Sequence, residues 1–355
     1  MIRVAALTSG RNVPSARFRV RQHVKPLRQS GILVREYVPA IDKYAPVPRG
    51  LVRLTRQGFP TFLVEHGWRA VKRMVRAPGV LGSRWSDITW LERLLLPGYL
   101  TSERILKRPL VFDVDDAVWL SKPDGGSAVR AVASMADVVV AGNLYLADRL
   151  SRCSRQVRVV PTGVDTVRFS PRSAGENSRR ETFVIGWIGT SSNLGFLEGI
   201  ERPLGRFLDD HKDARMLVVS DRPPDFRKLS PGKIRYLPWS EDQEAAILKE
   251  MDVGLMPLPD NEWTRGKCSF KMLQYMSCGI PAIVSPTGMN GEILEMGRAA
   301  LPARADDDWY DALSFFHANR ERAEEYGREG RAIVESRFGR DVVTEILSGI
   351  FRSLA

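Results

Sequence analysis

A short apolar run followed by a helical pattern recurs along this chain, halts at a polar stretch and then starts over. Residues 2–7 (IRVAAL) form a buried-strand pattern that ends in Thr8, Ser9 and Gly10, and a helical pattern over 15–29 is stopped by Gly31. Residues 39–60, rich in Pro, Gly and Arg, read as loop with short helical pieces, and a helix follows over 60–76. Strands are expected at 88–91, 110–114, 138–141 and 157–160, with a helix over 144–152. The polar segment 171–181 (PRSAGENSRRE) is a linker by its Pro, Gly and charge content. Beyond it the pattern resumes with strands at 183–187, 215–219, 234–237, 253–256 and 282–285 and helices ending near 209, over 241–251, over 269–276, and onward to the end. Such alternation predicts an α/β chain of two Rossmann-like domains, each an open, mostly parallel sheet with helices on both faces. The expected domains are 1–172 and 173–335, with a C-terminal helix over 336–355 that packs back on the first. Ligands of such sheets bind outside the carboxyl ends of the strands, so the site is expected in a central cleft faced by both domains.

Composition removes other classes. With 43% hydrophobic and 27% charged residues in 355, the chain is neither disordered, collagen-like nor a multi-span membrane protein. The net charge of +11 predicts an anionic partner. That excess is local: residues 17–84 hold 15 Lys and Arg against 3 Asp and Glu, which leaves the rest of the chain near neutrality. On the helix over 60–76, Arg69, Lys72, Arg73 and Arg76 fall at helical spacing on one face. Cys153, Cys268 and Cys278 make neither a disulfide framework nor a zinc spacing, which fits a reducing compartment. The opening MIRVAALTSGRNVPS has too short an apolar run for a signal peptide, and no stretch reaches the ~20 apolar residues of a membrane span. A cytoplasmic chain is expected, soluble or peripheral at the inner face of the membrane.

The segment with the most chemistry is 263–295 (WTRGKCSFKMLQYMSCGIPAIVSPTGMNGEILE). Lys267, Cys268, Ser269 and Phe270 lead into a helix whose N-terminus offers unpaired N–H groups and the positive dipole end to a phosphate. Lys267 and Lys271 add positive charge there, and Gln274 shares a face with Lys271. Met272, Leu273 and Met276 point to the core, and an ordinary amphipathic helix with surface lysines is the competing reading.

This segment resembles the donor-binding region of GT-B glycosyltransferases, specifically the retaining enzymes of glycosyltransferase family 4 (group 1). Four further pieces are similar to that family in the same order: Ser9-Gly10 with SARFRVRQ, VFDVDDAVW (111–119), VVPTGVDTVRFSP (159–171) and IGWIGTSSN (185–193). The resemblance implies transfer of a sugar, with retained configuration, from a nucleotide-diphosphate donor on the C-terminal domain to an acceptor on the N-terminal one. It implies that the donor is a substrate and that neither a cofactor nor a metal is bound. Gly189, Thr190 and Ser191 match the loop that approaches the diphosphate, and Tyr236 to Trp239 match the frame of the base. Trp239 is equally readable as core.

Two glutamates usual in the family, eight positions apart, align with Gly266 and Gln274. Gln274 can still bond a ribose, whereas Gly266 has no side chain to offer a donor sugar. Lys267 and Lys271 substitute for a missing Arg–Lys pair, which makes Lys271 a candidate catalytic group. Asp115 and Asp116 stand where many relatives carry a histidine. On the acceptor side the candidates are Gly10, Arg17, Arg19 and Asn143, with a helix cap as the competing role of Asn143 and of Asp116. Asp113-Val114-Asp115 also fits the short metal-binding pattern of the GT-A class. The expected function is glycosyl transfer to a cell-envelope, polysaccharide or lipid-linked acceptor, with the basic stretch held against an anionic membrane surface. A non-catalytic nucleotide-sugar binder and a basic nucleic-acid-binding protein are the alternatives. A dinucleotide oxidoreductase fits poorly, since no G-x-G-x-x-G follows either first strand.

Overall fold

A computed structural model describes residues 1–172 and 181–355. Residues 173–180 of the expected linker 171–181 therefore lie outside the described residues. The chain divides into two compact units, Met1–Gly163 with Val343–Ala355, and Val164–Val342.

The first unit is built on six strands: β1 (Ile2–Leu7), β2 (Ile32–Tyr37), β3 (Ile88–Glu92), β4 (Leu110–Val114), β5 (Val138–Ala141) and β6 (Val157–Val159). They lie in the order β2-β1-β3-β4-β5-β6, and every pairing is parallel. The central strands β3, β4 and β5 are buried throughout, which is why they read as continuous apolar runs. The outer strand β2 buries Ile32 and Val34 and exposes Leu33 and Arg35, so its signal is a weak alternation that the sequence reading passed over. The helix Gly125–Met135, headed by the Asp124 cap, was likewise hidden by two glycines at its start. Its core gathers Val4, Ala6, Val20, Ile88, Trp90, Val111 and Val140, closed by Val343, Leu347 and Phe351 of the last helix, Arg340–Leu354. Phe351 meets Trp90 edge-on at 5.2 Å, and His23 Nδ1 lies 2.7 Å from Thr344 Oγ1, so an apolar and a polar contact both hold that helix on the sheet.

The second unit repeats the plan with β7 (Phe183–Ile188), β8 (Ala214–Ser220), β9 (Ile234–Pro238), β10 (Val253–Met256), β11 (Ala282–Val284) and β12 (Ala300–Pro302). The order is β12-β11-β10-β7-β8-β9, again all parallel. Trp187, Phe183, Phe207, Trp309 and Phe316 fill its core. The expected helix over 241–251 is reduced to Glu244–Leu248, because the chain turns both before and after it.

Candidate functional site

In the second unit the chain moves one way from β7 through β8 to β9 and the other way from β10 to β12. The crevice at such a reversal, outside the strand ends between β7 and β10, is where ligands of open parallel sheets bind. Gly189 follows β7 there, and an added Cβ would stand 2.5 Å from Lys271 Cε and 2.8 Å from the Trp187 ring. Only glycine lets the lysine stem cross the loop so closely. Lys271 is the second residue of the helix Phe270–Ser277, and its Nζ lies 5.4 Å from the Trp187 ring centroid. The fold thus brings the expected phosphate loop, the expected cation and a helix N-terminus to one place.

The approach to that helix is tightly built. Ser269 takes a left-handed conformation (φ 49°, ψ 25°), and its hydroxyl donates to Asn290 Oδ1 at 2.6 Å instead of capping the helix. Asn290 in turn donates to the Ser285 carbonyl at 2.9 Å. Gly288 (φ 54°) comes so near that a Cβ would meet the Arg265 carbonyl at 2.6 Å, which packs the 285–288 loop on the turn containing Gly266. Cys268 is buried, and Phe270 is half-buried. Lys267 Nζ lies over the rings of Trp263 and Phe196, at 5.1 and 5.9 Å, a cation–π setting that keeps its charge beside the helix start.

Other candidates are engaged elsewhere. Ser191 donates its N–H and its hydroxyl to Asp221, at 2.6 and 2.8 Å. Burial disfavours the charge of Asp221, but these bonds outweigh it and hold the carboxyl below its ordinary range. An anion at this loop therefore has to share or replace the Asp221 contact. Thr190 accepts from Asn193 Nδ2 at 2.8 Å. Gln274 is only 3% exposed and gives its amide hydrogen to Glu244 at 2.9 Å. Trp239 is 40% exposed, which removes its reading as core, and its backbone N–H donates to the Ser220 carbonyl that also accepts from the Tyr236 hydroxyl.

In the first unit the reversal falls between β1 and β3. Ser9 donates its N–H to Glu92 Oε2 at 2.8 Å, and its hydroxyl bonds the same oxygen. Gly10 lies against Asp42, where a Cβ would be 1.9 Å from a carboxylate oxygen. Arg93, at the end of β3, adopts φ 56°, a left-handed conformation that costs a non-glycine residue about 1 kcal/mol or more. That turn aims its guanidinium at Asp115 (2.5 Å), the Tyr44 hydroxyl (3.0 Å) and Asp116 (3.7 Å). Burial alone would raise the Asp115 carboxyl, but Arg93 reverses this and holds it low. Asp116 also accepts from the Ala117 N–H at 3.0 Å.

Arg19 and Asn143 do not join this group. Arg19 is 2% exposed, pairs with Asp113 at 2.8 Å and donates to the Val160 carbonyl at 2.8 Å, so it is an interior brace. Arg17 stacks on its neighbour Phe18 at 4.4 Å. Asn143 is the N-cap of the helix Leu144–Ser151, accepting from the Leu146 N–H at 2.8 Å. Asp113 and Asp115 are each held by an arginine, which leaves the short metal-type pattern structural. The basic face expected on the helix Thr61–Met74 is also reduced. Lys72 donates to the carbonyls of Lys43 and Ala45, Arg76 is buried against that of Ile41, and Arg69 covers the Tyr99 ring.

Glu92, Arg93, Asp221 and Glu244 escaped the sequence reading. A signal existed for three of them: Glu92 ends β3, Arg93 follows it and Asp221 follows β8, where strand-end chemistry belongs. Glu244 had none, since only the packing of two helices faces it to Gln274.

Residues 183–319 match the family model described as glycosyl transferases group 1. Over 44% of this chain and 42% of the relative, it is 26% identical to D-inositol 3-phosphate glycosyltransferase of Corynebacterium jeikeium. The chain thus spans under half the length of that curated relative. Among solved structures, Anabaena HepE in complex with UDP and glucose is 14% identical, with a TM-score of 0.68 and 100% of both chains covered. Sucrose-phosphate synthase from Thermosynechococcus elongatus is also 14% identical, with a TM-score of 0.67 and 99% of both chains covered. The two Rossmann-like units are those of the GT-B fold.

Proposed function

We propose that this chain is a retaining glycosyltransferase that moves a sugar from a nucleoside-diphosphate donor on its C-terminal unit to a cell-envelope polysaccharide or lipid-linked acceptor. The observation that carries the reading is the Lys271 stem lying across Gly189 at the strand reversal, beside a helix N-terminus. That arrangement suits a diphosphate whose negative charge grows as the glycosidic bond breaks. Lys271 and Lys267 would stabilise the leaving group. The departing diphosphate would take the acceptor proton on the same face, so no protein nucleophile is needed, and the protein's part is positioning and charge stabilisation. Trp239, exposed beside the end of β9, would cover the base.

A thermal-shift screen of nucleoside diphosphates and their sugars tests the donor, because a ligand that binds only the folded state raises the melting temperature. Uridine compounds come first, since UDP is what HepE holds. A stabilisation of several degrees by one base is the expected result, and none by any of them removes the proposal. On the acceptor side, Asp116→Ala should lower transfer at least about tenfold, the loss of roughly one hydrogen bond's worth of positioning, with donor affinity unchanged. Unchanged turnover would return Asp116 to a purely structural role.

The membrane part of the reading rests on the helices Arg49–Arg56 and Thr61–Met74. Phe59 in the connection between them, and Phe62 and Leu63 on the second, are 52%, 60% and 46% exposed, and the same stretch exposes Arg53, Arg56 and Arg73. Aromatic rings beside arginines suit an anionic bilayer surface, where each basic group contributes about 1 kcal/mol. No helix among the described residues is long and apolar enough to cross a membrane. Binding to anionic vesicles should weaken as salt rises, and Phe62→Ser with Arg53→Ser should abolish most of it. Equal binding to neutral vesicles, or none at low salt, would exclude the surface.

A further inference from the structure

At the opposite end of the C-terminal sheet, three side chains with metal-binding chemistry converge. His211 ends the helix Glu201–Asp210, Asp213 immediately precedes β8, and His317 lies in the last turn of the helix Asp306–Ala318. One ligand atom from each lies within 4.8 Å of the others. His317 Nε2 is 2.9 Å from Asp213 Oδ2, and the two imidazole centroids are 4.2 Å apart. The rings are held from behind: Phe207 packs on His211 at 4.4 Å, and Phe183 meets His317 edge-on at 5.3 Å.

We propose that His211, Asp213 and His317 bind a zinc-class divalent ion. Two imidazoles and one carboxylate are a borderline nitrogen–oxygen set that suits zinc, with water completing a tetrahedron. Bonds of about 2.0–2.1 Å place tetrahedral ligands about 3.4 Å apart, so a contraction of about 1.4 Å or less closes the site from its present spread. Side-chain rotation supplies that, because His211 ends a helix and Asp213 sits in the turn after it. Arg320 near Asp213, and Lys233 on the carbonyl of His211, place positive charge beside the site, which weakens its hold on a cation.

The ion would be structural. It would tie the helix Glu201–Asp210 and the start of β8 to the helix Asp306–Ala318, two segments about a hundred residues apart. Phe183 begins β7 and Gly189 follows its end, so a six-residue strand of roughly 20 Å separates this site from the proposed donor loop. The proposal is thereby independent of the proposed catalysis.

Calorimetric titration of the tag-free protein with Zn2+, and the visible absorption of added Co2+, provide the test. One ion per chain and a tetrahedral Co2+ spectrum are expected, with a rise in melting temperature. His317→Asn and Asp213→Asn should each lower Zn2+ affinity at least about tenfold while the metal-free variants keep the wild-type circular dichroism. His211→Asn serves should either variant fail to fold. No saturable binding up to about 100 μM Zn2+, or binding that survives these substitutions, would overturn the site and leave a hydrogen-bonded packing cluster.

Discussion

Lys271→Ala should weaken the binding of nucleoside diphosphates by about 30- to 150-fold, while nucleosides without phosphate bind within about twofold of wild type. A charge-assisted hydrogen bond to a phosphate is worth about 2–3 kcal/mol in a partly buried site, and tenfold corresponds to about 1.4 kcal/mol. The Lys271 stem crosses Gly189, so its ammonium is held at the loop and is not a free-swinging surface charge. Gly189→Ala provides a second, independent probe. Its methyl group would stand 2.5 Å from Lys271 Cε, displacing the lysine without removing its charge. The two variants should therefore share one pattern, with phosphate-dependent affinity lost and base recognition kept. Calorimetry with a diphosphate and its nucleoside decides the matter. A parallel fall for both ligands would mean that the substitutions had damaged the pocket as a whole, and the phosphate role would be wrong.

The second large effect is on stability. Arg19 and Asp113 form an interior pair, 2% and 1% exposed, whose other hydrogen bonds include those to the Val160 carbonyl and the Thr162 hydroxyl and from Trp90 Nε1. Arg19→Met would strand the carboxylate in the core at a cost of about 3–5 kcal/mol, lowering the melting of the N-terminal unit by roughly 10 °C. Burial has already pushed the Asp113 carboxyl up to about 6 in spite of the arginine. Without Arg19 it rises further, so the native state of the variant binds a proton that the unfolded chain releases at ordinary carboxyl values. The deficit should accordingly be smaller at pH 5 than at pH 8, because acid neutralises the stranded group. Joint replacement, Arg19→Met with Asp113→Leu, should recover most of the loss, as apolar replacements of buried pairs commonly do. Chemical denaturation of the three variants at both pH values is the measurement. A loss below about 1 kcal/mol for Arg19→Met would show that the pair contributes little.

Arg19 also illustrates what was hidden. Its place in a basic stretch, with Arg17 close by, made it a candidate for the acceptor side. The structure winds Ala16–Arg21 as a π-helix, departing from the 3.6-residue period on which face assignments depend, and Phe18, Arg19 and Val20 are all buried. Arg93 is a comparable case. Nothing local marks an arginine for a left-handed turn. It holds that turn because Asp115, Asp116 and Tyr44 surround its guanidinium from distant parts of the chain. Gln274 follows the same logic: its match to a ribose ligand is a matter of position along the helix, but its amide meets Glu244 thirty residues away.

What the chain encoded locally was readable. Apolar runs of strand length, glycine stops such as Gly31, and the Lys267–Phe270 helix start depend on neighbouring residues, and they place ten of the twelve described strands, all but β2 and β12, with candidate groups at their carboxyl ends. Partnership was not readable, since a hydrogen bond or ion pair between residues about 30 to 100 positions apart leaves no periodic trace. Packing alone turned Arg19 inward, gave the Ser191 donors to Asp221, set Lys271 across Gly189 and gathered His211, Asp213 and His317 into one cluster.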